Sequence, residues 1–148
     1  MRKVALFAVV FALAVTTVAF AQAKPDFSGT WALDATKSDQ MGGGGGRGPG
    51  AAGPMTIKHT ATEFAVTRGQ NTTTYKLDGI EQTVAMGQRT GKATAKVDAG
   101  KVVIKTVFEG PNGTMESTST YSLSPDGKEM TVVNSSQRGE RKMVYTKQ

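Results

Sequence analysis

The stretch KVVIKTVFEGPNGTMESTSTYSLSPDGKEMTVV, Lys101 to Val133, holds three alternating runs separated by Asn112-Gly113 and Pro125-Asp126-Gly127. Alternate side chains of a strand point to the same side. Val102, Ile104 and Phe108 therefore share one face, Met115, Ser117, Ser119, Tyr121 and Leu123 the next, and Met130, Val132, Asn134 and Ser136 the third. Asn-Gly and Asp-Gly provide the positive-φ positions that match the twist of a hairpin, so each reads as a reversal of the chain. Similar punctuation recurs at Arg68-Gly69, Asp78-Gly79, Gly91, Ala99-Gly100 and Arg138-Gly139. Such even spacing is the pattern of an antiparallel meander.

Working outward, the same alternation places Met55, Ile57 and His59 on one face, then Phe64 and Val66, then Thr73, Tyr75 and Leu77. Val84 and Met86, then Ala93, Ala95 and Val97, continue the series, and Arg141, Met143 and Tyr145 end it. With Thr30 to Leu33 as the opening strand, the expectation is an all-β fold of about eight to ten strands, with no helix after the N-terminal segment. A meander hides its edges most simply by curling until its first and last strands pair, which favours a closed or partly open up-and-down barrel over an open sandwich. Thr, Lys and Glu on the outer face argue against a membrane barrel.

The N-terminal segment reads as a signal peptide over residues 1–23. Arg2 and Lys3 precede an apolar stretch from Val4 to Val15, and small-x-small sites permit cleavage after Ala21 or Ala23. Residues 24–41 then carry the first strand, residues 42–54 a Gly-rich flexible loop and residues 55–148 the rest of the meander. The loop, GGGGGRGPGAAGP, holds eight of the eighteen glycines and offers nothing to a core. It is no phosphate cradle either, because the Gly-Lys-Ser/Thr sequence and following helix are missing.

The chain has no cysteine, which excludes disulfides, thiolate metal sites and a lipoprotein thioether anchor. Removing Arg2 and Lys3 lowers the net charge from +6 to about +4, with the remaining basic residues dispersed, so nucleic-acid binding is not expected. The expected location is periplasmic or secreted, in a bacterium, with no stable membrane anchor after cleavage. The sequons at Asn71, Asn112 and Asn134 have no role in that setting.

The opening Phe27-Ser28-Gly29-Thr30-Trp31, with the hairpin rhythm behind it, resembles the Gly-x-Trp start of lipocalins and fatty-acid-binding proteins. The resemblance implies a barrel whose closed end is plugged by Trp31. Gly29 would permit close backbone approach, and a basic residue of the last strand would cover the ring. Arg141 is the expected partner. The fatty-acid-binding proteins also carry an Arg-x-Tyr carboxylate clamp on that strand. Met143 stands two before Tyr145 here, so the clamp is not carried over. Their two short helices after the first strand give way to the glycine run, which has very poor helix propensity.

Catalysis finds little support in the residues. His59, the single histidine, falls in phase with Met55 and Ile57 and reads as a half-buried strand residue, and no metal site or cofactor is expected. Asp78, Asp98 and Asp126 occupy turns, and no nucleophile-elbow sequence surrounds Ser117, Ser119, Ser122 or Ser124. The expected function is the binding of a small hydrophobic molecule or lipid by a non-enzymatic barrel. Phe64, Tyr75, Phe108 and Tyr121 would line the site, and Arg68 would anchor an anion if its phase points inward. The alternative is a packed, ligand-free barrel acting as a structural or protein-interaction module of the bacterial envelope, with an unknown protein partner.

Overall fold

The computed structural model describes residues 24–39, 53–86, 89–111 and 113–148. The expected signal segment and residues 42–52 of the glycine run lie outside the described residues. The remainder forms ten antiparallel strands: β1 (Gly29–Leu33), β2 (Met55–His59), β3 (Glu63–Arg68), β4 (Asn71–Lys76), β5 (Gln82–Met86), β6 (Arg89–Asp98), β7 (Lys101–Gly110), β8 (Gly113–Leu123), β9 (Glu129–Ser136) and β10 (Gly139–Lys147). No helix occurs among the described residues.

The strands form one sheet in the order β4-β3-β2-β1-β10-β9-β8-β7-β6-β5. The two ends of the chain thus meet in the middle of the sheet, where β1 pairs with β10 through Trp31 opposite Lys147 and Leu33 opposite Tyr145. Its edges, β4 and β5, approach each other and nearly close the barrel. Side chains bridge this seam in place of a full ladder. Gln82 accepts a hydrogen bond from the Lys76 N–H and donates one to the Lys76 carbonyl, both at 3.0 Å. The Thr73 hydroxyl donates to the Ala85 carbonyl at 3.0 Å. Below them, the turn between β4 and β5 is clipped to β6 by the Asp78–Lys96 bridge and by the Gly79 N–H donating to the Ala95 carbonyl.

Most of the expected reversals fall where the turn residues placed them, but Gly91 is a correction. It lies inside β6, and the Phe108 ring crosses it. A Cβ at Gly91 would meet Phe108 Cδ1 at 2.5 Å and the Val107 carbonyl at 2.7 Å, so the glycine serves close approach between strands.

The expected inward residues form one core, which Phe27 joins: Phe27, Trp31, Met55, Ile57, Phe64, Val102, Met130 and Val132 are at most 2% exposed. They sit toward one end of the barrel, where the chain enters at Phe27 and the hairpins β2–β3, β6–β7 and β8–β9 turn. Phe27, His59 and Phe64 meet edge to face at centroid distances of 5.5 to 5.8 Å. The Ser28 hydroxyl accepts from the His59 N–H and donates to the His59 carbonyl, which ties the entering chain to β2.

Trp31 lies in this closed end, and its indole N–H donates to the Phe27 carbonyl at 2.9 Å. The basic group over its ring is Lys147, with Nζ at 5.5 Å from the centroid, and not the expected Arg141. Arg141 pairs with Asn134 and lies six residues up β10, roughly 20 Å away at the rise of a strand. Gly29, at φ +136°, runs beneath Lys147, where a Cβ would stand 2.8 Å from its Cε.

Candidate ligand site at the open end

Strand length shapes the opposite end. β1 to β5 hold five or six residues each, whereas β6, β7, β8, β9 and β10 hold ten, ten, eleven, eight and nine. The long strands therefore rise beyond the packed core as a curved wall. Its inner face carries smaller and more polar side chains, Thr106, Ser117, Ser119 and Asn134, with Phe108 and Met115 nearer the open end of β7 and β8.

Those polar groups are already paired. Thr106 and Ser117 share a hydroxyl hydrogen bond of 2.8 Å, and the Asn134 amide donates to Ser119 Oγ at 2.9 Å. The apolar groups are not fully covered. Met115 is 39% exposed and Phe108 is half-buried, whereas Met143, level with Val132, packs against the core.

The structure divides the five expected lining residues between two levels. Phe64 is fully buried, faces Tyr75 across the β3–β4 ladder and touches the Tyr121 ring at a centroid distance of 5.0 Å. Tyr75 and Tyr121 are 4% and 6% exposed, so all three belong to the core. Burial pushes the Tyr75 phenol well above its ordinary value, Tyr121 adds to that shift and Arg68 opposes it. The Tyr121 phenol is raised by burial too, again against Arg68.

Arg68 is in phase with Phe64 and Val66, half-buried, and donates to the Met55 sulfur at 3.3 Å. It thus stands above both tyrosines, with no ion pair among the described residues. Phe108 stands apart from the other four, on the tall wall. Met115 and Gly91 join it there. Their alternation was legible in the sequence, but their height along the barrel was not.

Two surface recesses, of about 670 and 280 Å³, lie outside the barrel near its closed end. The first is lined by the β8–β9 turn and the end of β10, the second by the β2–β3 and β4–β5 turns. Neither contains any of the five expected residues. His59 has its pKa lowered by burial, opposed by Asp26 and the Pro25 carbonyl, and it stands at the far end of the barrel from Phe108. No three His, Asp or Glu side chains converge among the described residues.

The chain folds as a ten-stranded, nearly closed up-and-down barrel, and solved structures share this fold. Similar solved structures include the REP1-NXSQ fatty acid transporter, at 18% identity and a TM-score of 0.61, over 82% of this chain and 96% of that one. Lipid binding protein 8 of Caenorhabditis elegans, in its apo form, is 16% identical with a TM-score of 0.61, over 82% and 95% of the two chains. A secretory abundant heat soluble protein of Ramazzottius varieornatus is 15% identical with a TM-score of 0.60, over 82% and 94%. At such identities the likeness is one of fold. No protein-family model and no curated protein sequence matches the chain.

Proposed function

We propose that this chain is an exported, non-enzymatic binding protein that takes a small hydrophobic molecule at the open end of its barrel. One observation carries the reading: Phe108 and Met115 remain partly exposed on the inner face of the long strands, above a core that is otherwise closed. Mouths of β-barrels are common ligand sites, and partly exposed apolar groups there gain free energy when a ligand removes them from water. The solved structures named as a fatty acid transporter and a lipid binding protein use the same fold, which adds support. Arg68, at the floor of the opening, is the cation an anionic group on the ligand would meet first inside the barrel. Export rests on the residue 1–23 signal pattern, and the periplasm or the exterior of a bacterium is the proposed location.

The packing of Phe64, Tyr75 and Tyr121 favours a second reading, in which the barrel is a filled module of the envelope that acts through its surface. Titration with a fluorescent apolar probe separates the two. The binding reading expects saturable uptake, weakened roughly fivefold to tenfold by Phe108→Ser without loss of the fold, because about 1 kcal/mol of apolar burial goes with the ring. Absence of uptake by the folded protein, together with an empty protein in native mass spectrometry after purification from its own envelope, would establish the second reading.

A further inference from the structure

The inner face of β7, β8 and β9 is layered by chemistry. Across the ladders, Val102, Tyr121 and Val132 form one row, Ile104, Ser119 and Asn134 the next, and Thr106, Ser117 and Ser136 the row nearer the open end. Phe108 and Met115 stand beyond those. A band of hydroxyl and carboxamide groups thus separates an apolar floor from an apolar rim. Tyr121 and Val132, directly below it, are 6% and 1% exposed, so a ligand entering from the open end meets a closed floor at the band. Ala93 and Ala95, opposite Thr106 and Ile104, present only methyl groups beside it.

The hydrogen-bonding capacity of the band is only partly used. Thr106 and Ser117 share one hydroxyl bond of 2.8 Å, and Asn134 gives one amide proton to Ser119 Oγ at 2.9 Å. Among the described residues, the Asn134 carbonyl oxygen, its second amide proton and the Ser119 hydroxyl proton make no further hydrogen bond. Ser136 is turned to the β9–β10 reversal, where it meets the Arg138 N–H and the Gly139 carbonyl. The charged side chain in these rows is Arg141, opposite Asn134, and it is exposed.

A carboxylate only accepts hydrogen bonds, so in this band it would leave the Asn134 oxygen facing another oxygen, and it would bring the cost of burying a charge. A hydroxyl both donates and accepts. The two pairs, Thr106–Ser117 and Ser119–Asn134, occupy successive inward positions of β8, about 7 Å apart at the rise of a strand. Neighbouring hydroxyls on one head group reach both pairs.

We infer that the band receives an uncharged, polyhydroxylated head such as the glycerol of a monoacylglycerol, with Ser119 and Asn134 holding one hydroxyl, Thr106 and Ser117 another, and the alkyl chain running back past Phe108 and Met115 toward the mouth. The inference rests on the binding reading above and adds the chemical class and orientation of the ligand: head inward, chain outward.

Calorimetric titration of the purified protein with 1-decanoylglycerol, decan-1-ol and decanoate, each below its micellar concentration, tests it. The diol should bind about tenfold tighter than either of the others, through hydrogen bonds that a single hydroxyl or a carboxylate cannot complete. Asn134→Ala and Ser117→Ala, made separately, should each cut that preference to threefold or less, read as the ratio of two affinities in the same variant. Circular dichroism checks that each variant folds. Decanoate or decan-1-ol binding as tightly as the diol overturns the inference and leaves the binding reading intact. A preference that survives in both folded variants overturns it also, because the head would then lie elsewhere. Failure of every alkyl ligand to bind removes both readings.

Discussion

Trp31 and its neighbours illustrate what one residue decides. The indole is buried, its N–H is satisfied by the Phe27 carbonyl, and its face is covered by Lys147. A cation over a tryptophan near the surface contributes about 0.5–1 kcal/mol. Replacing Lys147 with Ala should therefore lower stability by about that amount in urea titration and shift the emission of the single tryptophan. Arg141→Ala should change neither. Phase does not distinguish Lys147 from the expected Arg141, since residues 141 and 147 share a face of β10. The choice depends on register, which the pairing of a five-residue β1 sets and which face alternation leaves open.

His59 provides a second residue-scale prediction. Its pKa is lowered in the folded protein by burial, so the unfolded chain takes up its proton more readily. The stability associated with neutral His59 is thus complete above the unfolded value of about 6.5 and is lost as pH falls through the lower folded value. Asp26, whose carboxyl is held below its ordinary value by hydrogen bonds from Ser28, loses its own contribution only at more acidic pH. Chemical denaturation between about pH 7 and 5 should show stability falling with acidity, and a folded His59→Gln variant should show a flatter dependence over that window.

Among the elements, the seam is where backbone pairing gives way to side chains. The Gln82 carboxamide satisfies both the N–H and the carbonyl of Lys76, standing in for a peptide group that a neighbouring strand would otherwise present. Gln82→Ala should cost about 1–2 kcal/mol for two hydrogen bonds at a solvent-accessible edge. Amide hydrogen exchange should quicken in β4 and β5 before it does in β8 or β9. A uniform change across the sheet would show that the seam does not open independently.

Gly91 belongs to the same scale. Read as turn punctuation, it would end a strand, whereas it lies within β6 because the Phe108 ring occupies the space a side chain would fill. Glycine marks turns and close approaches alike, and the second depends on a residue seventeen positions away. The other reversals were legible because Asp-Gly, Ala-Gly and Arg-Gly glycines adopt positive φ at Gly79, Gly100 and Gly139.

For the molecule as a whole, alternation and turns made the all-β meander and its inward face legible, and the curl into a barrel followed from the need to cover strand edges. Which inward residues form a packed floor and which an open mouth was not legible, because height along the barrel depends on strand length and on the stagger between neighbours. Phe64, Tyr75 and Tyr121 accordingly fall in the buried core, while Met115 stands beside Phe108 on the long strands. All the strands contribute to the floor, and the long strands β6 to β8 rise beyond it with an inner face that stays partly exposed.

The proposed function requires ligand uptake at the open end of the barrel while the other end stays packed. Two-dimensional amide NMR during titration with a dodecyl-chain ligand tests it most directly. Binding at the open end should give saturable shifts at Phe108, Met115, Ser117 and Asn134, with Phe27, Trp31 and Met130 unmoved. Shifts centred on Trp31 and Phe64 would place the ligand in the core and contradict the account, as would a folded protein whose spectrum does not change.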